Sequence, residues 1–188
     1  MTAPKVSMLS VEESIRRIRN LGYDEAFGEL SVFRILLQNE KVAGALANTL
    51  TTLLFTGNSL DPRLRELIIM RLGWATNSVY EWTQHWRIAR DMGISEEDLL
   101  AVRDCKNSST LSDADRAVLQ ATDDCLENGF IQDATWDACF QHLETEAERV
   151  ELVVAIGNWT MFSQLLKSLA IPLEVGVAEW PPTGQAPG

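Results

Sequence analysis

The sequence predicts an all-α fold from three observations. Apolar residues recur at threes and fours along most of the chain, side chains that cap helices stand before those runs, and no alternating apolar run is bounded by hairpin dipeptides. The missing strand signal removes β-rich and dinucleotide-binding architectures, and with them any glycine-rich phosphate loop. With 188 residues and 46% hydrophobic content, the chain can bury a core without metal or disulfide staples. The expected organisation is a helical extension over residues 1–22, a helical domain over 23–171 and an extended or mobile tail over 172–188.

The first element is an entry helix behind the capping-box pattern Ser10-Val11-Glu12-Glu13, with Ile15 and Ile18 at helical spacing and Leu21-Gly22 closing it. From Leu30 to Phe55 the apolar positions Phe33, Leu36, Leu37, Val42, Leu46, Leu50 and Leu53 keep helical spacing except near Asn39, which predicts one broken helix or two short ones. Thr56-Gly57-Asn58-Ser59 is a turn cluster, and Asp61 before Pro62 gives a cap and the favoured first-turn proline. A helix therefore starts near Pro62 and runs to about Trp74, where Gly73 weakens helical propensity and Thr76-Asn77-Ser78 offers a new cap. The next helix carries Glu81 and His85 and ends at Gly93. Ser95-Glu96-Glu97-Asp98, Leu111-Ser112-Asp113-Ala114-Asp115 and the stretch from Asp133 to Leu143 open or form three more.

Glu66-Leu67-Ile68-Ile69 followed by Trp74 echoes Glu151-Leu152-Val153-Val154 followed by Trp159, and an internal helical duplication is one explanation. The tail from Pro172, with Trp180-Pro181-Pro182, does not continue a helix. Trp180 reads as an anchor, on its own domain or on a neighbouring subunit.

A formal net charge of -11 argues against binding a phosphate backbone, which needs a concentrated basic surface. Apolar runs such as Leu67 to Met70 are too short for a bilayer, and no basic segment leads into an apolar one at the N-terminus, so the expectation is a cytoplasmic protein without membrane or nucleic-acid partners. Cys105, Cys125 and Cys139 stand 20 and 14 residues apart, a spacing that fits neither a zinc knuckle nor a redox pair; buried thiols in a reducing compartment are expected, and no metal site.

The segment Ser78-Val79-Tyr80-Glu81-Trp82-Thr83-Gln84-His85 holds a hydroxyl, a carboxylate and one of two histidines. On a helix, residues 78, 81, 82 and 85 form one stripe, so a carboxylate one turn away can orient an imidazole that titrates near neutrality. Glu66, nineteen residues before His85, reaches the same place if the two helices pack antiparallel across Thr76-Asn77. The S-x-x-E pattern of Ser78 and Glu81 is equally a capping box, and a histidine beside Trp74, Trp82 and Trp86 is equally a core residue.

The run Leu60-Asp61-Pro62-Arg63-Leu64-Arg65-Glu66-Leu67, the Ser78 to His85 segment, Arg87-Ile88-Ala89-Arg90 and Gly93-Ile94-Ser95-Glu96-Glu97 together resemble the carboxymuconolactone decarboxylase and alkyl hydroperoxidase D (AhpD) superfamily, over about residues 40 to 105. By that resemblance Glu66 and His85 stand at the relay positions of the peroxidase branch, but its two redox cysteines are Ser78 and Glu81 here. Thiol peroxidase chemistry needs a reactive thiolate, so that activity is not expected. The decarboxylase branch looks similar in placing Glu81 four residues before His85 and Arg87 two after. The resemblance implies an AhpD-like helical fold, a homo-oligomer (trimer or hexamer), a small-molecule substrate and no cofactor.

On this basis the expected enzyme is a lyase or isomerase acting on a small carbonyl or carboxylate compound. His85 is the general acid or base, Glu81 orients it and Glu66 completes the relay. Ser78 and Tyr80 donate to a developing enolate oxygen, Trp74, Trp82 and Trp86 wall the pocket, and Arg87 clamps a carboxylate. Arg34, Arg63, Arg65 and Arg71 are further cations, and Arg87 has an alternative partner in Asp91 at i+4. The alternative from another class is a non-catalytic helical oligomer or binding protein on the same scaffold.

Overall fold

The computed structural model describes residues 3–188 and is helical throughout, with no strand among the described residues. It divides into two compact units: the segment to Asn58 with Gln164–Val177, and Ser59–Ser163 with Ala178–Gly188.

The first unit holds α1 (Val11–Asn20), α2 (Ala26–Glu29), α3 (Ser31–Leu36) and α4 (Glu40–Thr51), which continues into a wider turn over Thr52–Thr56. Ser10 caps α1 by accepting from Glu13 N, while the Glu13 carboxylate turns to Arg16 and Arg17, so half of the expected capping box forms. The break near Asn39 is a helix boundary: Asn39 accepts from Val42 N and starts α4. Ala43, Ala47 and Leu50 face inward on α4, and Val42, expected on the buried face, is 44% exposed. Arg34 is structural, its Nε donating to the Leu9 carbonyl at 2.8 Å.

The second unit holds α5 (Pro62–Ala75), α6 (Val79–Asp91), α7 (Glu96–Ala101) with a tight turn over Val102–Asp104, α8 (Asp113–Asn128), α9 (Asp133–Phe140) and most of α10 (Glu146–Ser168). The Asp61 carboxylate caps α5 at Arg63 N and Leu64 N, with Pro62 in its first turn. Ser112 and Asp115 form a complete capping box on α8. Glu151 on α10 accepts from Leu60 N at 3.0 Å and from Ser59 N, which fixes the chain entering α5.

Gly73 lies inside α5 and does not end it. A Cβ there would stand 2.9 Å from Trp82 N and 3.2 Å from Trp82 Cα, so glycine is what lets α5 and α6 cross this closely. The connecting turn passes through Asn77 at φ +53°, a left-handed conformation that asparagine tolerates.

Trp180 settles its two expected settings in favour of its own unit. It is buried, its ring lies 6.0 Å from Trp74 and 6.1 Å from Trp82, and its backbone N–H donates to Thr83 Oγ1. Trp82 Nε1 donates to the Pro181 carbonyl at 2.8 Å, so this part of the tail is held rather than free. The Arg103 guanidinium stacks over Trp74 and Trp82 at 4.4 and 4.8 Å from the ring centres.

Candidate functional site

Three helices of the second unit converge on His85. From α5, Glu66 Oε2 meets His85 Nδ1 at 2.8 Å, and from α10, Trp159 Nε1 meets His85 Nε2 at 3.2 Å. An indole nitrogen only donates, so Nε2 carries a lone pair and the ring proton sits on Nδ1, donated to Glu66. On the far side of Glu66, Arg65 Nε donates to Oε1 at 3.2 Å. Glu66 and Arg65 are buried at 0% and 3% exposure, which suits an ion pair that also accepts from the imidazole. The resulting order is guanidinium, carboxylate, neutral imidazole and indole, with a donor matched to an acceptor at each contact.

Glu81 is placed differently from expectation. Its carboxyl bonds to Ser163 on α10, and the contact that orients the imidazole comes from Glu66. Burial pushes Glu81 up to about 8, against the Ser163 and Ser78 hydroxyls, which pull it down. Ser163 also meets Thr76 Oγ1 at 3.0 Å, and Thr76 Oγ1 lies 2.6 Å from the Leu72 carbonyl. Glu81 does not cap its helix, because Ser78 stands at the N-cap with no side-chain cap bond. The Ser78 hydroxyl is buried beside the Glu81 carboxyl without reaching ordinary hydrogen-bond geometry.

Two pairs one helical turn apart thus face each other, Glu81 and His85 on α6 against Ser163 and Trp159 on α10. Trp82 and Trp86 sit one residue further round α6 and turn away from this stripe. With Trp180, and Trp74 packed against them, they join a core cluster that includes Leu67, Leu99 and Leu119. They are therefore core, not walls around His85; the aromatic ring against the imidazole is Trp159, at 5.8 Å between centres. Tyr80 is buried.

Arg87 is exposed, about 200° round the helix from His85, and makes no ion pair with Asp91 among the described residues. The buried cation of the site is Arg65 instead. Arg63 pairs with Asp98 and Asp115, and Arg71 with Asp123, so both are structural.

Trp159, Ser163 and Thr76 were not nominated from sequence as site residues. Their only signal was the echo that matched Trp159 to Trp74 and the i, i+4 spacing from Trp159 to Ser163. A cavity of about 570 Å³ lies elsewhere, with Cys105, Lys106, Arg116 and His142 among its lining. All three cysteines are free thiols; burial pushes all three up, Cys139 to about 11, away from the thiolate form. No group of three or more metal-ligating side chains suited to hold an ion occurs among the described residues, and no helix among them is long and apolar enough to cross a membrane.

Residues 40–124 match the carboxymuconolactone decarboxylase family. No curated protein matches the sequence. Among solved structures, the chain is similar to an uncharacterized peroxidase-related protein from Ralstonia eutropha JMP134 with an alkylhydroperoxidase AhpD core, at 14% identity and a TM-score of 0.76 over 93% of this chain and 94% of that one. A peroxidase-related protein from Silicibacter sp. TM1040 gives 15% and 0.76 over 94% and 97%. The debrominase Bmp8, solved in complex with 2,3,4-tribromopyrrole, gives 16% and 0.70 over 93% and 94%. These likenesses are of fold, and the matched segment is the one that carries Glu66, Glu81 and His85. The chain thus carries a carboxymuconolactone decarboxylase family segment on a fold similar to the AhpD core.

Proposed function

We propose that this chain is a cofactor-free lyase or isomerase that moves a proton on a small carbonyl or carboxylate compound, with His85 as its base. The observation that carries this reading is the buried Glu66–His85 pair, which leaves Nε2 unprotonated and facing the indole N–H of Trp159. A carboxylate behind an imidazole fixes the tautomer and stabilises the imidazolium formed when Nε2 takes a proton. Substrate binding would replace the Trp159 contact, the longer of the two on the ring. Thiol peroxidase activity is not part of the proposal: Ser78 and Glu81 stand where that chemistry needs sulfur. The test is turnover of a panel of small oxo acids and lactones by the wild type, His85→Gln and Glu66→Gln. Loss in both variants is expected, and unchanged turnover in both sinks the proposal.

One observation favours the second reading, a non-catalytic protein on the same scaffold: both ring nitrogens of His85 already have protein partners. Ring nitrogen resonances of His85 that ignore every member of the panel would support it. Either reading includes a homo-oligomer, supported by Val150, Val153 and Val154, which are 64%, 45% and 45% exposed and line one face of α10. Light scattering that returns a monomer at micromolar concentration would count against assembly.

A further inference from the structure

We propose that Arg65 is a positioning residue of the site: from the far side of Glu66 its guanidinium offsets the carboxylate charge and so keeps the His85 ring neutral and free to accept a proton. Its use in catalysis rests on the base reading above; its effect on the ring does not. Arg65 and Glu66 are neighbours on α5, and both are buried because this stretch of the helix, Leu64 to Met70, is enclosed all round. Arginine is rarely buried without a partner, and here the partner is the carboxylate that holds the imidazole.

The contacts divide that carboxylate between its two neighbours. Arg65 Nε donates to Oε1 at 3.2 Å and His85 Nδ1 donates to Oε2 at 2.8 Å, so the cation does not compete with the ring for an oxygen. Guanidinium, carboxylate and neutral imidazole together carry no net charge. Without the guanidinium the same row holds an uncompensated buried negative charge, and the ring beside it is the group placed to neutralise it. The added proton goes to Nε2, because Nδ1 already carries one. An imidazolium has no lone pair left to act as a base, and its Nε2–H would oppose the indole N–H of Trp159. Arg65 and Trp159 thus act from opposite ends of the row with the same result.

The charged and titratable groups that face the ring are Arg65 and Glu66 from α5, and Glu81 from its own helix, one turn back and bonded to Ser163. The α10 side chains that meet the site, Trp159 and Ser163, carry no charge. Glu81, Trp159 and Ser163 are common to every protein compared below, so differences among them report on the pair on α5. A bare carboxylate behind the ring makes a stronger base that is already protonated. A balanced pair makes a weaker base that is available, which is the better compromise for proton transfer near neutral pH.

The test follows the protonation of His85 by ¹⁵N NMR against pH, without a substrate, in the wild type, Arg65→Met, Glu66→Gln and the double variant. The pair on α5 is balanced in the wild type, negative in Arg65→Met, positive in Glu66→Gln and uncharged in the double variant. The midpoint at which Nε2 takes its proton is expected to lie about one pH unit or more higher in Arg65→Met than in the wild type. A rise of similar size is expected from Glu66→Gln to the double variant. The second comparison decides the matter if Arg65→Met alone does not fold, since the double variant leaves no buried charge unpaired. Arg65→Lys, which keeps the cation, is expected to return the midpoint toward the wild type. An unmoved midpoint in either comparison between folded proteins overturns the proposal. In an active enzyme, Arg65→Met should shift the acid limb of the kcat/KM profile upward by the same amount and recover activity at higher pH. A loss by one constant factor at every pH overturns the catalytic use of Arg65 and leaves it a structural partner. Failure of the base reading shows up separately, as unchanged turnover in His85→Gln.

Discussion

Trp159 donates its indole N–H to Nε2 of His85 at 3.2 Å, and this bond together with Glu66 on Nδ1 fixes a single neutral tautomer of the ring. Replacing Trp159 by Phe removes the donor and keeps a ring in place. The expected outcome is a mixture of tautomers or exchange broadening in the ¹⁵N spectrum of His85, where the wild type shows one protonated and one unprotonated nitrogen. A spectrum identical to the wild type would contradict the bond.

Glu66→Gln takes the carboxylate away from the buried Arg65 and from the imidazole at once. Removing one partner of a buried ion pair costs about 3 kcal/mol or more, chiefly through the charge left behind. Urea unfolding should show a loss of that order. Combining Glu66→Gln with Arg65→Met should recover part of it, because the second change removes the remaining charge.

Stability should fall with rising pH through Glu81. Its folded value of about 8 lies above the ordinary 4.5, so between the two the folded state binds more protons than the unfolded one. The contribution is full below 4.5 and is lost as pH rises through 8. The difference in unfolding free energy between the wild type and Glu81→Gln, followed across that window, should shrink or reverse as pH rises.

Gly73→Ala should destabilise the fold even though alanine is the better helix former. The added methyl meets backbone atoms of Trp82 at 2.9 and 3.2 Å, which move only if α5 and α6 separate. Overpacking of this kind costs about 1–3 kcal/mol, more than the roughly 1 kcal/mol gained in propensity. Because that crossing also brings Glu66 to His85, turnover should fall with stability.

Trp180→Ala should cost about 3 kcal/mol, as large aromatic truncations in cores do. It should also raise proteolysis in the last ten residues. Thermal unfolding and limited proteolysis check the two effects.

Much of this was legible in the sequence, and what was missed has a common cause. Local chemistry revealed the caps at Ser10, Asp61, Ser95 and Ser112, because a cap and its targets lie within three residues. The one-turn helix over Ala26–Glu29 was missed, since four residues carry no periodicity and Gly28 argues against a helix. The convergence of Glu66 and His85 was legible because a short turn joins their helices. Ser163 lies 82 residues from Glu81, and Trp159 lies 74 from His85, so no local pattern links them. The stripe drawn from Ser78 to His85 was too wide. Helical spacing groups residues 81, 82 and 85, whereas tertiary packing sends Trp82 to one side of α6 and the two polar groups to another.

The two contacts that α6 makes through His85 and Glu81 use different neighbours, Glu66 and Trp159 for one, Ser163 for the other. Positions 78 and 81 can therefore change identity while the Glu66–His85 pair stays assembled. The wiring is modular: a change of reactive group at position 81 leaves both partners of the imidazole in place. An engineer could introduce thiols here with Ser78→Cys and Glu81→Cys and keep the Glu66–His85 pair.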